Sequence, residues 1–348
     1  MTTELAMATE APSAKATGGS DFAQLSRRIT DEGLLDRRAV YYAVRFTLVG
    51  LAFVGGGVAL FALGDTWLQL VLAAVMAVVF AQVGLLSHDL AHRQVFSSRR
   101  ASEIGGRIAA NLCMGMSYGW WMNKHNRHHA NPNHEERDPD VAPDILVWSQ
   151  RQARFATGVA KFIGRRQAYL FLPLLTLEGL NLSFNSFKAL RSPTMKRPFL
   201  EGALLVAHFV AYFGLVFAAL SPGKAFAFIA VHQALLGIYM GSVFAPNHKG
   251  MLMVTPDMRL DFLRRQVLTS RNVRGGVLTD VLMGGLNYQI EHHLFPSMPC
   301  PALGRAQQIT MEFCAEKGIP YYEVGLLKSY SEILRHLHRT GEPIREAG

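Results

Sequence analysis

The stretch WLQLVLAAVMAVVFAQVGLLSHDLAH, residues 67–92, runs without a charged residue from Trp67 to Ser87 and then presents two histidines. A bilayer core requires about 20 apolar helical residues, so this stretch predicts a transmembrane helix. His88 and His92 are four residues apart, which places both on one helical face within reach of a single metal ion. The sequence therefore predicts a span over 67–87 that leads directly into a metal-binding pair.

Three further stretches are apolar enough to cross a bilayer: 46–63, 202–220 and 225–246. Short glycine-containing connections at 64–66 and 221–224 join the four spans into two hairpins. Half of all residues are hydrophobic and only 18% are charged, whereas charged residues form roughly a quarter of a typical soluble domain. The predicted fold class is an all-α integral membrane protein with four transmembrane helices in two hairpins.

The distribution of basic residues predicts the orientation of these spans. Lys224 is the one basic residue at the two hairpin tips, and the other lysines and arginines of the chain's 35 flank the opposite ends of the spans. Because basic loops remain on the cytosolic side, both termini and the segment 88–198 are expected there. The apolar stretches 104–122 and 168–190 are expected to form helices in the membrane interface or packed under the spans. A fifth and a sixth span in these stretches is the alternative.

The sequence predicts no membrane span at either end of the chain. Residues 1–20 lack the pattern of a signal peptide and are expected to form a disordered tail. Residues 21–45 alternate apolar and basic side chains, which predicts an interfacial amphipathic helix, with an ordinary solvated helix as the alternative. Residues 301–348 are expected to form a cytosolic helical segment. The net charge of +9 is assigned to contact with anionic lipid headgroups rather than to nucleic acid.

Histidines cluster twice more along the chain. His125, His128 and His129 follow the offsets 0, 3 and 4 of one helical face, and Gln289, His292 and His293 repeat that pattern. His248 comes two residues after the fourth predicted span. These clusters hold more ligands than one tetrahedral zinc ion needs, so two ions are expected. Imidazole binds iron, zinc, copper and nickel alike, and ligand type alone leaves the metal open. The three cysteines form neither a disulfide framework nor a cysteine zinc motif.

The clusters and their neighbours resemble the three histidine boxes of the membrane fatty acid desaturases. The matching runs are HDLAH (88–92), HNRHH (125–129) and QIEHH (289–293), within WWMNKHNRHHANPN (120–133) and GGLNYQIEHHLFPSMP (284–299). The resemblance covers about residues 40–340, with the desaturase domain itself assigned to 46–300 and its metal site on a cytosolic helical cap. Glutamine at the start of the third box is similar to the front-end branch, which acts on the carboxyl side of existing double bonds.

This resemblance implies an O2-dependent enzyme that uses two iron ions to introduce a cis double bond into a long-chain fatty acyl group. It assigns the following metal ligands: His88, His92, His125, His128, His129, His248, His292 and His293, with Gln289 as a further candidate. The haem motif HPGG of fused cytochrome domains does not occur in the sequence. A separate ferredoxin or cytochrome b5-type donor with its reductase is therefore expected, and a bacterial cell membrane is the favoured location.

Polar residues near the boxes are candidates for orienting the ligating imidazoles through hydrogen bonds. They are Asp89, Glu291, Asp138, Asp140, Asn272 and Asp280. His134, His336 and His338 are expected to be solvated or at the surface. His208 and His232 lie inside predicted spans, where a hydrogen bond to a neighbouring helix is favoured over a functional role.

Two other functions remain open at the level of sequence. A related di-iron hydroxylase acting on lipid or carotenoid could use the same ligands. A membrane metal transporter belongs to a different class, and it would place its ion ligands near the bilayer midplane rather than beyond the ends of the spans.

Overall fold

The computed structural model describes residues 20–347, so the predicted disordered tail over 1–20 lies outside the described residues except for Ser20. The described chain is mostly helical, as predicted, with one short two-stranded sheet. It divides into two compact units. The membrane unit contains Arg37–Asn123 and Leu172–Ser242. The second unit contains Lys124–Phe171 together with the described residues up to Asp36 and from Val243 onward.

The elements follow one another along the chain in a fixed order. They are α1 (Asp21–Asp31), α2 (Ala39–Ala62), α3 (Gln69–Ala91), α4 (Arg99–Arg107), a π-helix (Ile108–Met114), α5 (Tyr118–Ala130), α6 (Gln150–Arg154), α7 (Gly158–Gly164), α8 (Gln167–Leu175), α9 (Glu178–Ala189), α10 (Pro198–Ala219), α11 (Pro222–His248), α12 (Phe262–Leu268), β1 (Asn272–Arg274), α13 (Val277–Met283), α14 (Gln289–Leu294), α15 (Cys300–Glu316), β2 (Glu323–Gly325), α16 (Leu326–Thr340) and α17 (Glu342–Glu346).

Four helices of the described chain are long and apolar enough to cross a membrane: α2, α3, α10 and α11. They correspond to the four predicted spans, which confirms the predicted fold class. The first helix begins at Ala39, seven residues before the predicted span, and continues through Arg45. The charge of Arg45 is compensated inside the membrane unit, because its Nη1 lies 2.7 Å from Asp89 Oδ2. The tips of the two hairpins are joined by Asp65, which accepts hydrogen bonds from Ser221 and Lys224.

The apolar stretches 104–122 and 168–190 form shorter helices that are not among the four candidate spans of the described residues. The first is interrupted where the π-helix ends at Gly115, whose positive φ of 80° suits glycine. Asn111 of this π-helix is fully buried. The second stretch divides between α8 and α9.

The two histidines inside the spans make hydrogen bonds to neighbouring elements of the membrane unit, as favoured from the sequence. His208 Nδ1 donates to the carbonyl oxygen of Leu112 at 2.9 Å. The hydroxyl of Tyr212 lies 2.9 Å from Nδ1 of His232. These contacts account for the two imidazoles as connections between helices.

The N-terminal part of the second unit differs from the single amphipathic helix predicted over 21–45. Helix α1 ends at Asp31, and the chain turns at Gly33, where φ is +63°, before α2 begins. Leu25 and Ile29 are fully buried in a core shared with residues of α15, including Phe313. The apolar face of α1 therefore packs against protein rather than lying on the bilayer. Ser20 caps the helix by accepting the backbone hydrogen of Ala23.

The C-terminal segment predicted as helical also contains a strand. β2 pairs in parallel with β1, with Asn272 opposite Glu323 and Arg274 opposite Gly325. Gln167 connects α8 to the end of α16, because its amide donates to the carbonyl oxygen of Leu337 at 2.8 Å. The second unit is thus assembled from segments far apart in sequence.

Candidate metal centre

The second histidine box lies on α5, as its spacing predicted. His128 is buried and directs Nε2 toward two other imidazoles of the second unit. Its Nε2 atom lies 3.3 Å from Nε2 of His248, which in turn lies 3.1 Å from Nε2 of His293. One ring nitrogen from each of these three side chains lies within 4.8 Å of the others. Helices α5, α11 and α14 therefore bring three buried nitrogen donors to one point.

The opposite nitrogen of each of these three imidazoles contacts an acceptor. His128 Nδ1 lies 2.9 Å from Asp138 Oδ2, His248 Nδ1 lies 3.0 Å from the Thr269 carbonyl oxygen, and His293 Nδ1 lies 2.9 Å from Gln266 Oε1. A hydrogen on Nδ1 leaves the Nε2 lone pair unprotonated and available to a metal. An acceptor at each Nδ1 atom therefore favours the tautomer that leaves Nε2 available to a metal ion.

A second convergence of imidazoles in the same unit involves the remaining histidines of boxes two and three. His129 Nε2 lies 3.0 Å from His125 Nε2 and 3.1 Å from His292 Nε2. The rings of His129 and His293 stack with centroids 4.2 Å apart, so the two convergences adjoin one another. The second unit therefore collects six of the eight histidines that the sequence assigned as ligands.

Gln289, the further candidate ligand, lies at the first of these convergences. Its side-chain nitrogen lies 3.0 Å from Nε2 of His248, and its oxygen accepts a hydrogen bond from the amide of Asn247 at 3.1 Å. Gln289 is buried. The Gln289 amide therefore contacts one of the converging imidazoles directly, although the amide is uncharged.

The first box lies in the membrane unit, in the last turn of α3 and at its end. The rings of His88 and His92 have centroids 4.7 Å apart, as expected for a pair on one helical face. Asp89 Oδ1 lies 3.3 Å from His88 Nδ1, and the other carboxylate oxygen of Asp89 contacts Arg45. Asp89 therefore links the first box to α2 inside this unit.

Asp138 is the carboxylate most closely integrated with a predicted ligand. Besides His128, it accepts the backbone hydrogens of Asn133 at 2.7 Å and of Asp140 at 2.9 Å. Asp140 Oδ2 lies 3.4 Å from His128 Nδ1, and Lys124 balances Asp140 at 2.8 Å. Burial disfavours the charged imidazole, but the two carboxylates outweigh it and raise the pKa of His128. Its nitrogen is correspondingly a stronger electron donor.

His293 has the opposite electrostatic environment. Burial, together with the neighbouring histidines, holds the pKa of His293 well below its usual range. The imidazole is therefore neutral near pH 7, which is the form that binds metal.

Three of the polar candidates support the third box rather than contacting an imidazole. Glu291 accepts hydrogen bonds from Asn272 at 2.7 Å and from Tyr321 at 2.9 Å, and burial raises its pKa to about 7. Asn272 also accepts the backbone hydrogen of Ile290 at 2.9 Å. Asp280 accepts from Asn287 at 2.8 Å. These contacts fix the backbone around α14, on which His292 and His293 lie.

Several contributors gave no signal in the sequence. Gln266 and Thr269 hold imidazoles from α12 and its end, and Asn133 donates to the carbonyl oxygen of His248 at 2.9 Å. Asn133 has a positive φ of 53°, a backbone conformation that asparagine tolerates better than most residues. Only its position in the run NPN, beside the second box, could have indicated it.

Of the three histidines expected at the surface, only His338 is exposed. His134 is buried, contrary to the prediction, and its backbone pairs with that of Val254. His336 is half-buried and donates from Nε2 to the carbonyl oxygen of Trp148 at 3.0 Å. Neither belongs to the convergences described above.

The donor set fits a divalent first-row metal. Imidazoles, carboxylates and a buried amide surround the convergences, and the described cysteines lie outside the three candidate metal-binding groups. Imidazole suits iron, and the carboxylate that orients His128 is the usual partner of a ligating histidine. The residues present can therefore hold the iron implied by the histidine boxes.

The chain is similar to known proteins over most of its length. The family model for fatty acid desaturase matches residues 65–325. An acyl-lipid (9-3)-desaturase from the moss Physcomitrium patens is 30% identical over 340 residues, which cover 94% of this chain and 63% of the moss protein. A delta-6 fatty acid desaturase from Caenorhabditis elegans is 28% identical, with 93% of this chain and 75% of that protein covered. A delta-8 fatty acid desaturase from Euglena gracilis is also 28% identical, over 86% of this chain and 74% of its own length.

The family model covers well over half of the chain, and the matched region includes all three histidine boxes. The chain spans somewhat less than two thirds of the moss relative's length. This protein belongs to the fatty acid desaturase family.

Proposed function

We propose that this protein is an O2-dependent fatty acyl desaturase that introduces a cis double bond into a long-chain acyl group carried by coenzyme A or by a lipid. Family membership supports this reaction. The observation that carries it is the convergence of His128, His248 and His293, whose Nε2 atoms face one another while each Nδ1 atom is held by an acceptor.

The proposed cofactor is a pair of iron ions. The proposed ligands are His88, His92, His125, His128, His129, His248, His292 and His293, with Gln289 as a weaker, neutral contact. The desaturase family and the histidine groups support metal binding of this kind. When bound, the iron supplies the oxidising power that removal of hydrogen from an unactivated methylene demands and that side chains lack.

The protein's own residues prepare the site for this chemistry. Asp138 accepts the Nδ1 hydrogen of His128 and so fixes the orientation of the ring. Gln266 and the Thr269 carbonyl do the same for His293 and His248. Burial of these three imidazoles excludes water, which strengthens each electrostatic contact. The balanced reaction converts one methylene pair, O2, two electrons and two protons into one double bond and two waters.

The electrons are supplied by a separate ferredoxin or cytochrome b5-type donor with its reductase. The protein resides in the bilayer, and a bacterial cell membrane is its proposed location. Both termini and the metal site lie on the cytosolic side, which is supported by the single basic residue, Lys224, at the hairpin tips. Reporter fusions after Asp65 and after Ala347 are expected to show opposite sidedness; the same sidedness would contradict this topology.

The function is tested by expression in a host with a simple lipid profile, together with a bacterial ferredoxin and its reductase. Fed fatty acids are extracted, and double bonds are located by mass spectrometry. We expect a new cis double bond that disappears in the His128→Ala, His129→Ala double variant and persists in the control His338→Ala, which alters an exposed histidine.

The position of the new bond tests the front-end assignment. A bond between an existing double bond and the carboxyl end supports it, whereas a bond in the middle of a saturated chain contradicts it. A hydroxylated product in place of a double bond would overturn the desaturase assignment in favour of a hydroxylase.

A further inference from the structure

A pocket of about 570 Å³ opens in the second unit, beside the loop that follows the second histidine box. It is lined by residues of the segment 135–160, including Val147 and Ala156 on its apolar side. Its volume falls in the range of small-molecule sites, roughly 300–1,000 Å³. None of the proposed metal ligands lines it, so the pocket is distinct from the proposed metal centre.

The charged groups of the pocket have both signs. Glu135, Glu136 and Asp144 line it together with Arg151. Arg151 Nη1 lies 3.6 Å from Glu135 Oε2 and 3.4 Å from Glu136 Oε1. Three carboxylates and one guanidinium suit a ligand that carries one cation and one phosphate-like anion. They do not suit a ligand with several phosphates, because three carboxylates would repel it.

The rim of the pocket continues into an exposed apolar surface. Phe155 lines the pocket and is 79% exposed, Val159 is 63% exposed and Phe162 is 76% exposed. Arg154, Arg165 and Arg166 flank them and are also exposed. Large exposed aromatic side chains among basic residues are typical of a surface that lies in the headgroup layer of a bilayer.

The pocket also lies close to the residues that orient a proposed metal ligand. Glu136 lines it, and Asp138, two residues further on, contacts Nδ1 of His128. Two residues of extended chain span at most about 8 Å between their Cα atoms. A headgroup held in the pocket is therefore adjacent to the loop that fixes one histidine of the metal centre.

We propose that this pocket binds the zwitterionic headgroup of a phospholipid whose acyl chain is the substrate. Arg151 contacts the phosphate, while Glu135, Glu136 and Asp144 surround the ammonium group, and Phe155 covers it from the bilayer side. This inference rests on the proposed function and narrows it, because it selects a lipid carrier over coenzyme A, whose several phosphates the three carboxylates disfavour.

The test uses the iron-loaded enzyme in micelles of a non-ionic detergent, which has neither phosphate nor ammonium groups, with a ferredoxin and its reductase. The same acyl chain is offered on phosphatidylethanolamine, on phosphatidylglycerol, which lacks the cation, and on coenzyme A. We expect KM for the ethanolamine lipid to be about tenfold lower than for the glycerol lipid, the effect of one charge-assisted contact. The double variant Glu135→Gln, Glu136→Gln is expected to abolish that preference with kcat little changed.

Matched variants and a second readout separate binding from catalysis. Arg151→Gln is expected to raise KM for both phospholipids, whereas Arg27→Gln, which alters an exposed arginine of α1 that does not line the pocket, is expected to leave both KM values unchanged. Native mass spectrometry of the detergent-solubilised holoenzyme measures which phospholipid is retained. Retention of phosphatidylethanolamine is expected in the parent and in Arg27→Gln, and its loss is expected in the double glutamate variant.

The outcomes distinguish this inference from the proposed function. Equal KM values for the two phospholipids would overturn the headgroup site while desaturation stands. Preferred turnover of acyl-coenzyme A, with KM unchanged in every pocket variant, would do the same. Absence of desaturation on every carrier would overturn the proposed function. The retention of phosphatidylethanolamine, measured by native mass spectrometry, would then test the headgroup site independently of activity.

Discussion

Glu201 of α10 accepts the backbone hydrogen of Gly119 at 3.2 Å, within the first turn of α5. Asn111 accepts from the backbone of Tyr118 at 3.0 Å, and Ser117 accepts from the backbone of Trp120 at 3.2 Å. The first amides of a helix have no intrahelical partners, so these side chains satisfy them. The negative charge of Glu201 also lies where the helix dipole favours it. Helix α5 is thus anchored at its start and carries the second histidine box further along.

The buried carboxylate of Glu201 is expected to contribute strongly to stability. It is fully buried, and its Oε1 lies 3.2 Å from Nε of Arg107, so Glu201→Ala leaves this buried guanidinium with only the more exposed Glu103, 3.5 Å away. Breaking a buried pair in this way costs about 3 kcal/mol or more. We expect a markedly lower melting temperature in detergent for Glu201→Ala and a smaller decrease for Glu201→Gln. Glu312→Ala, at an exposed position, serves as the control; a Glu201→Ala variant as stable as that control would refute the expectation.

Asp138 is expected to control metal affinity rather than folding alone. Asp138→Asn keeps the shape but leaves one oxygen to serve His128, Asn133 and Asp140. Loss of such a partner lowers metal affinity by about 10- to 100-fold. Iron bound per protein is measured by mass spectrometry after dialysis against increasing concentrations of a chelator. We expect Asp138→Asn to lose its iron at a lower chelator concentration than the parent protein. Asp257→Asn, at an exposed position, should behave like the parent; identical chelator curves for all three proteins would contradict this role.

The proposed ligands of the first convergence are expected to rank by their donor strength. His248→Ala removes an imidazole that contacts both His128 and His293, and we expect it to lose iron and all activity. Gln289→Ala removes only a neutral amide, so a partial loss of activity with iron retained is expected. Iron content and product yield measured side by side test this ranking. Equal iron loss in the two variants would make Gln289 a full ligand.

His336 is expected to make stability depend on pH. Burial, assisted by nearby cations, lowers the pKa of His336 to about 4, although its hydrogen bond to Trp148 opposes this shift. Because the unfolded chain binds the proton more readily, the stabilisation is complete above about pH 6.5 and is lost as the pH falls toward 4. At pH 5.5 the loss is about 1 kcal/mol.

Thermal unfolding of the parent and of His336→Gln at pH 7.5 and 5.5 measures this contribution. The variant is expected to lose less stability on acidification than the parent. His338→Gln, two residues along α16 and exposed, is the control. A pH dependence unchanged by the His336 substitution would show that other groups cause it.

The spans and the histidine boxes could be predicted because each depends on a local pattern. The lengths of the apolar stretches predicted the four spanning helices. The 0, 3, 4 spacing predicted that three histidines share one helix, which is α5. Helix ends were less predictable where a charge is compensated by a distant residue. Arg45 marked the expected start of the first span, yet its contact with Asp89 lets the helix extend through it. Glu201 likewise lies inside α10, the third candidate span, because its charge is compensated by Arg107.

Contacts between residues remote in sequence could not be predicted. Gln266 and Thr269 lie in a stretch without histidines, and only the fold brings them to His293 and His248. The pairing of the His134 backbone with Val254, which lies 120 residues further along the chain, is a contact of the same kind. The amphipathic pattern of α1 was recognised, but a pattern does not state whether lipid or protein covers the apolar face, and here it is protein.

The arrangement of His128, His248 and His293, each with Nε2 turned inward, has a consequence for metal selectivity. Imidazole ligands bind zinc and copper more tightly than ferrous iron, following the general order of divalent affinities. Nothing in the ligand type reverses that order, since carboxylates contact these rings only through Nδ1. Loading with iron therefore depends on which metal the cell makes available while the protein folds. Growth with excess zinc should yield well-folded protein that carries the wrong metal.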